Sequence, residues 1–130
     1  SEHPAPLEAA LSYAQRAVAA EPSSHLAHHA LATVQFFRRE TVAFHTAAER
    51  ALALNPMDGY TLASIGMRTA FLGDWDRGCD MVRRSMGLNP RHPGWYWFPL
   101  STNAYRKRDF AGALGMAQQI NMPGVWSAAA

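Results

Sequence analysis

Leu54-Asn55-Pro56 recurs as Leu88-Asn89-Pro90, and a weaker copy of the same motif follows as Ile120-Asn121-Met122-Pro123. Together with Pro22, the prolines that end these motifs are evenly spaced to within one residue. Three similar tripeptides are separated by the same spacing along the chain: Arg16-Ala17-Val18, Arg50-Ala51-Leu52 and Arg84-Ser85-Met86. Self-similarity at a fixed period of this length is typical of helical repeat proteins. The chain is therefore predicted to consist of repeated units of about 34 residues.

Within each period the apolar residues have the spacing of two amphipathic helices. Ser24, Asp58 and Asp74 are residue types that cap the start of a helix, and Gly73 can end one. The proline after each second helix has no backbone N–H and disfavours helix in the residue before it, so it stops that helix. No segment alternates as a β-strand would, which predicts an all-α fold. The predicted helices cover residues 6–20, 24–38, 41–54, 59–72, 75–88, 93–107 and 110–120.

These units resemble tetratricopeptide repeats. With the proline at position 32 of that family's pattern, one repeat starts at His25 and the next at Gly59. The family's Leu-Gly pair and its later small residue then fall on Leu31-Ala32 with Ala51, and on Ile65-Gly66 with Ser85.

The sequence also departs from this pattern. The usual tryptophan early in the first helix is absent, since His28 and Leu62 stand there. The third repeat, from Pro93, has Pro99 inside its first helix, and that helix is predicted to be longer than the second.

Each helix pair has apolar surface that it cannot bury alone, so the pairs are expected to stack. The resemblance implies a right-handed α-solenoid of antiparallel helix pairs, with about 3.5 repeats in a single domain covering 1–130. Because the last repeat lacks a polar cap, we also expect self-association through a truncated repeat end. The predicted parts are a lone helix at 6–20, repeats at about 25–58, 59–92 and 93–122, and a truncated repeat at 123–130.

A more specific resemblance lies in the stretch Asn89-Pro90-Arg91-His92-Pro93-Gly94-Trp95-Tyr96-Trp97-Phe98, with Ala104-Tyr105-Arg106-Lys107 and Ile120-Asn121-Met122-Pro123-Gly124. These segments are similar to the C-terminal tetratricopeptide regions of bacterial class III adenylate cyclase-like proteins and of winged-helix regulators with that architecture. In those proteins the repeats follow a catalytic or DNA-binding domain.

The composition argues against several other classes of protein. Twelve Lys and Arg against ten Asp and Glu leave a formal net charge of +2, which disfavours a nucleic-acid binder held by phosphate neutralisation. No apolar run approaches the roughly 20 residues needed to span a bilayer, and nothing at the start resembles a signal peptide. We therefore predict a cytoplasmic protein with neither nucleic acid nor membrane among its partners.

Few residues have a pattern that would support chemistry. His25, His28 and His29 have the helical spacing that zinc ligands use, but no nearby carboxylate or cysteine completes a tetrahedral set. The favoured interpretation is that His28 replaces a packing aromatic residue and His29 faces the groove. Cys79 is the only cysteine. The favoured interpretation is an inert core residue; the alternative is a reactive thiol whose pKa is lowered by the nearby Arg77 and Arg83. We predict no catalytic residues, no metal and no cofactor.

Four consecutive aromatic residues occupy 95–98. Successive residues of a helix are turned by about 100°, so these rings cannot all share one face, and some must face solvent or the concave side.

In tetratricopeptide proteins the first helices line a concave groove that takes an extended peptide or a partner helix. The chaperone-binding relatives use Lys and Asn at groove positions that here hold His29, Thr33 and Met67, so that clamp is absent. By position in the repeat, the predicted groove consists of Leu26, His29, Thr33, Phe36 and Phe37, then Tyr60, Ala63, Met67 and Phe71, then Trp97, Ser101 and Tyr105.

The function that follows is a non-catalytic protein–protein interaction scaffold with a peptide or partner helix in an aromatic groove. The alternative is a regulatory or oligomerisation module of a larger cyclase-like or transcription-regulator protein. Related helical repeats that bind RNA have a period one residue longer. The repeat period of this chain and its small net charge therefore disfavour RNA binding. An enzyme is the last candidate.

Overall fold

The computed structural model describes residues 5–120, and it contains only helices and turns in that range. The all-α prediction is confirmed. Four of the seven predicted helices have the predicted bounds, and two more agree to within one residue at each end. The helices are α1 Pro6–Ala20, α2 His25–Phe37, α3 Thr41–Leu54, α4 Gly59–Phe71, α5 Trp75–Leu88, α6 Trp97–Arg106 and α7 Phe110–Ile120, with a 3-10 turn at Gly94–Tyr96.

The helices pack mainly with their neighbours in sequence. The chain divides into two compact units, Ser1–Pro56 and Met57–Ala130. In the first unit α2 packs against α1 and α3; in the second, α4 packs against α5 and α6 against α7. A three-residue turn joins α2 to α3 at 38–40, α4 to α5 at 72–74, and α6 to α7 at 107–109.

Side-chain caps fix where helices begin. The Ser24 hydroxyl accepts a hydrogen bond from the Ala27 amide (3.2 Å), and the Asp58 carboxylate accepts one from the Thr61 amide (3.2 Å) and another from its hydroxyl (3.1 Å). Asp74 accepts one from the Arg77 amide at 3.4 Å. The three predicted caps are therefore present. Each accepts a hydrogen bond from a first-turn amide that has no partner inside the helix.

The three turns between paired helices share a left-handed residue. The backbone φ is 63° at Arg39, 112° at Gly73 and 64° at Arg108. Only glycine takes this conformation without a steric cost, so two of the three turns contain a strained arginine.

The start of α6 differs from the prediction of a helix over 93–107. The α-helix begins at Trp97, after the 3-10 turn, and has 10 residues against 11 in α7, so the prediction of a longer first helix is wrong. Pro99 gives the physical reason. It is the third residue of α6, where a backbone N–H has no partner inside the helix. An α-helix from Pro93 would put Pro99 in its interior, where it would break a hydrogen bond and clash.

The two cores differ in the size of their side chains. In the first unit Phe44 is fully buried among alanines such as Ala32, Ala48 and Ala51. In the second unit six consecutive residues of α4, 61–66, are buried. The core cluster there consists of Ala63, Ala70, Cys79, Val82, Tyr96 and Leu100, with Trp75, Met86, Trp95, Trp97 and Met116 packed against it.

Candidate partner-binding site

The predicted groove residues of the first unit lie along α2. Leu26 and Phe37 are exposed, whereas His29 is buried. The Thr33 hydroxyl donates to the His29 carbonyl oxygen at 3.0 Å. Phe36 is half-buried, and its ring contacts Phe37 with 5.2 Å between centroids. Among the predicted groove residues of α2, the exposed ones thus lie at its two ends.

In the second unit α4 shows the same distribution. Tyr60 and Phe71, near its ends, are exposed, Met67 is half-buried and Ala63 is fully buried. Because Ala63 belongs to the core cluster, it supports the helix and offers no surface. On the same helix Arg68 contacts the Ser64 hydroxyl, and burial lowers the pKa of its guanidinium.

The predicted residues of α6 have three different environments. Trp97 is half-buried against the core, and Tyr105 is exposed. The Ser101 hydroxyl donates to the Ala113 carbonyl oxygen at 2.9 Å, which joins α6 to α7. The Tyr105 ring contacts Phe110 at 5.4 Å.

Phe98, which the groove prediction omits, completes a cluster of aromatic side chains in the second unit. Its ring lies 5.5 Å from that of Phe71, which lies 5.1 Å from that of Trp75. The Arg106 guanidinium lies over the Trp75 ring at 5.0 Å. Of the four consecutive aromatics, Tyr96 is fully buried, Trp95 and Trp97 are half-buried and Phe98 is exposed. The run itself indicated that one ring would face outward, but not which one.

A cleft of about 440 Å³ lies between α6 and α7. Its walls are mainly apolar, and the exposed rings of Tyr105 and Phe110 belong to it. The sequence prediction missed the α7 side of this cleft because it assigned the groove to first helices alone. The lining residues are Ser101, Thr102, Tyr105, Phe110, Ala113, Leu114 and Ala117.

The residues considered for metal binding or catalysis have structural partners. The His28 Nε2–H donates to the Pro22 carbonyl oxygen at 2.8 Å, which ties α2 to the turn before it. Within residues 5–120, no three His, Cys, Asp or Glu side chains are grouped so that they could hold a metal ion. Two acidic residues at the start of α5 also have partners: Asp74 caps the helix, and the exposed Asp76 carboxylate lies 3.7 Å from the Lys107 ammonium group.

Cys79 is a buried thiol. Its S–H points to the Pro99 carbonyl oxygen at 3.7 Å, and burial raises the pKa of the thiol despite the nearby Arg83. A raised pKa reduces the thiolate fraction, on which nucleophilic reactivity depends. The structure therefore favours the inert core residue over the activated thiol.

No helix within residues 5–120 combines the length and the apolar composition that crossing a bilayer requires.

Comparison with known proteins identifies the fold. The sequence matches no protein-family profile and no curated protein. Two solved structures are similar: the crystal structure of MamA, with a TM-score of 0.73 and 18% identity, and MamA MSR-1 C2, with 0.68 and 16%. Each comparison covers 88% of this chain, which spans only 66% of the matched chain. At these identities the likeness concerns architecture, and the fold is an all-α solenoid of helix pairs of the tetratricopeptide type.

Proposed function

We propose that the chain is a non-catalytic protein–protein interaction scaffold that binds a peptide or a partner helix on the aromatic side chains of its first helices. One observation carries the proposal. In the second unit the exposed fractions are 38% for Phe71 on α4, and 48% and 66% for Phe98 and Tyr105 on α6. Exposed apolar clusters are characteristic of interaction sites, and buried aromatic anchors supply much of the binding energy of interfaces.

The geometry of these rings favours binding without a large entropic cost. Phe71 is held between Trp75 and Phe98, and Tyr105 contacts Phe110. Side chains that are already restricted lose less freedom when a partner covers them. The partner that suits this surface is a segment with bulky apolar side chains, either extended or helical. The proposal also keeps the cytoplasmic location and the single domain over 1–130 that the sequence predicts.

Affinity capture with a matched control tests the proposal. The full chain and a Phe71→Ala/Phe98→Ala variant are immobilised and exposed to a lysate of the source organism, and bound proteins are identified by mass spectrometry. The control is Tyr13→Ala, which removes another exposed aromatic ring, from α1 and outside the predicted groove. We expect a foreign protein on the wild type and on the control but not on the double variant. Equal capture by all three proteins would contradict the proposal.

A regulatory or oligomerisation module of a larger cyclase-like or winged-helix protein is the second candidate. It is supported by the resemblance of residues 89–98 and by the exposure of Phe110 and Leu114 on α7, which a second copy of the chain could cover. Sedimentation velocity at increasing concentration tests it. If the wild type self-associates and Leu114→Glu is monomeric, this candidate is favoured. A monomer at every concentration would count against self-association.

A further inference from the structure

The aromatic surface of the second unit ends in a positively charged group. The ring of Phe98 contacts that of Phe71 at 5.5 Å, Phe71 contacts Trp75 at 5.1 Å, and the Arg106 guanidinium lies over the Trp75 ring at 5.0 Å. Arg106 is exposed, as are Phe71 and Phe98. These four side chains form one continuous surface, the aromatic–arginine strip, which is apolar at Phe98 and positively charged at Arg106.

The internal repeat shows that the arginine is an exception at its position. Phe37, Phe71 and Arg106 are the last residues of α2, α4 and α6, and each is followed two residues later by the left-handed residue of its turn. They therefore hold the same place in successive repeats. Both phenylalanines are exposed there, whereas the third repeat presents a guanidinium group. A partner that covers the strip has to satisfy this charge as well as the rings.

Arg106 has no carboxylate partner within residues 5–120. Two acidic side chains at the starts of α5 and α7 are engaged elsewhere: Asp76 lies 3.7 Å from Lys107, and Asp109 accepts a hydrogen bond from the Gly112 amide at 2.9 Å. Stacking on Trp75 uses the face of the guanidinium and none of its N–H donors. Its donors therefore remain available, and their geometry matches the two oxygens of a carboxylate.

The distribution of charge also favours an acidic partner. Arg106, Lys107 and Arg108 are consecutive and exposed at the end of α6. Among residues 5–120, the first unit has four basic and four acidic side chains, whereas the second has eight basic and five acidic ones. The excess of positive charge is thus on the unit that contains the aromatic–arginine strip, where it attracts a segment of opposite charge.

We propose that the aromatic–arginine strip binds an acidic segment of a partner protein. A large apolar side chain of that segment lies between Phe71 and Phe98, and an Asp or Glu of the same segment pairs with Arg106. Phe98 and Arg106 are eight residues apart on α6, about 12 Å along its axis, so the apolar side chain and the carboxylate are one to two turns apart in a partner helix. This inference rests on the proposed function and adds the charge of the partner to it.

Selection from a phage library of random peptides tests the proposal. The full chain is immobilised, the enriched peptides are sequenced, and their affinities for the chain are measured by fluorescence anisotropy. We expect the enriched peptides to combine a large apolar residue with Asp or Glu at a fixed spacing. Replacing that acidic residue by Asn or Gln should weaken binding about tenfold, because a hydrogen-bonded charge pair is lost.

Variants of the chain assign this effect to Arg106. Arg106→Gln should weaken the binding of an acidic peptide about tenfold. It should also remove the difference in affinity between that peptide and its Asn or Gln analogue. Arg84→Gln is the matched control, since it neutralises another exposed arginine of the same unit, on α5, and it should leave binding unchanged. Thermal unfolding shows whether each variant is folded.

Two results would overturn the proposal: enriched peptides without an excess of acidic residues, or an unchanged affinity of acidic peptides for folded Arg106→Gln. If those peptides still lose affinity for the Phe71→Ala/Phe98→Ala variant, the proposed partner surface is supported and only the charge of the partner is wrong. If no peptide is enriched, or none responds to that double variant, the proposed function is contradicted together with this inference.

Discussion

The backbone of Gly66 in α4 lies directly against that of Gly78 in α5. A Cβ atom on Gly66 would be 2.8 Å from the Gly78 carbonyl oxygen and 2.9 Å from the Met81 Cβ, and a Cβ on Gly78 would meet the Gly66 carbonyl oxygen and the backbone of Ala70. Two helices can approach this closely only where neither has a side chain. The backbones of α4 and α5 are therefore in direct contact at this point.

This contact predicts opposite effects for the same substitution on one helix. Gly78→Ala should lower the free energy of unfolding by about 1–3 kcal/mol, since the methyl group has no space. Gly87→Ala, also in α5 but with no described atom within 4 Å of the added Cβ, should raise it by about 0.5–1 kcal/mol because alanine favours the helix. Urea unfolding measures both, and a Gly78→Ala variant as stable as the wild type would show that the helices are further apart.

The left-handed turns predict a stabilising exchange. Arg39→Gly should raise the free energy of unfolding by about 0.5–1 kcal/mol, because glycine relieves the strain at φ 63° while adding some freedom to the unfolded chain. Gly73→Ala, the reverse change in the corresponding turn, should lower it by a similar amount. If Arg39→Gly melts below the wild type, the arginine contributes contacts that outweigh its strain.

The Asp58 cap predicts a local loss of stability. Asp58→Ala removes the acceptor for both the amide and the hydroxyl of Thr61, which should cost about 1 kcal/mol. Asp58→Asn retains an acceptor and should cost less. Asp80→Ala, an exposed aspartate inside α5, serves as the neutral control. Thermal melts followed by circular dichroism rank the three variants, and equal melting temperatures would exclude the cap.

The same substitution by aspartate at corresponding positions of the two repeats should lower the free energy of unfolding by unequal amounts. Ile65→Asp puts a carboxylate into a position that is 2% exposed, so it should cost several kcal/mol, on the order of a buried unpaired charge. Leu31→Asp, at the corresponding but half-buried position, should cost less because a carboxylate there stays in partial contact with water. Chemical denaturation compares the two variants, and equal losses would mean that Leu31 is as fully buried in solution as Ile65.

Stability should decline in mild alkali. Burial raises the pKa of the Cys79 thiol and of the Tyr96 phenol, so the folded chain keeps these protons at a pH where the unfolded chain loses them. Their stabilising effect is complete below the ordinary pKa values of about 8.5 and 10, and it is lost as the pH rises through the raised values. Unfolding curves between pH 7 and 10 measure the decline, which should be smaller in Cys79→Ala. An equal decline in that variant would assign it to other groups.

Helix positions were predictable because they depend on local signals. The prolines, Ser24, Asp58 and Gly73 act on their own neighbours in sequence, so their effects do not require knowledge of the packing. The start of α6 was not predictable in this way, since the effect of Pro99 depends on whether the helix begins at Trp97 or already at Pro93.

The candidate site was predictable only in part. Position in the repeat selected Phe37, Tyr60, Phe71 and Tyr105, which are exposed, but it also selected Ala63, which is buried. A repeat pattern specifies the face of a helix and not how deeply its neighbours cover that face. Leu31 and Ile65 show the difference, because they hold the same place in successive repeats and yet Leu31 is half-buried whereas Ile65 is buried.

The burial of six consecutive residues in α4 limits how this protein can diverge in sequence. At residues 61–66 no side chain can grow without displacing a neighbour, so an enlargement there requires a compensating reduction in a facing helix. Gly66 would change together with Gly78 or Met81, whereas α1, with one buried residue, could vary one position at a time. Mutational tolerance in this chain is therefore uneven, with coupled substitutions in the second helix pair and independent ones at the N-terminal helix.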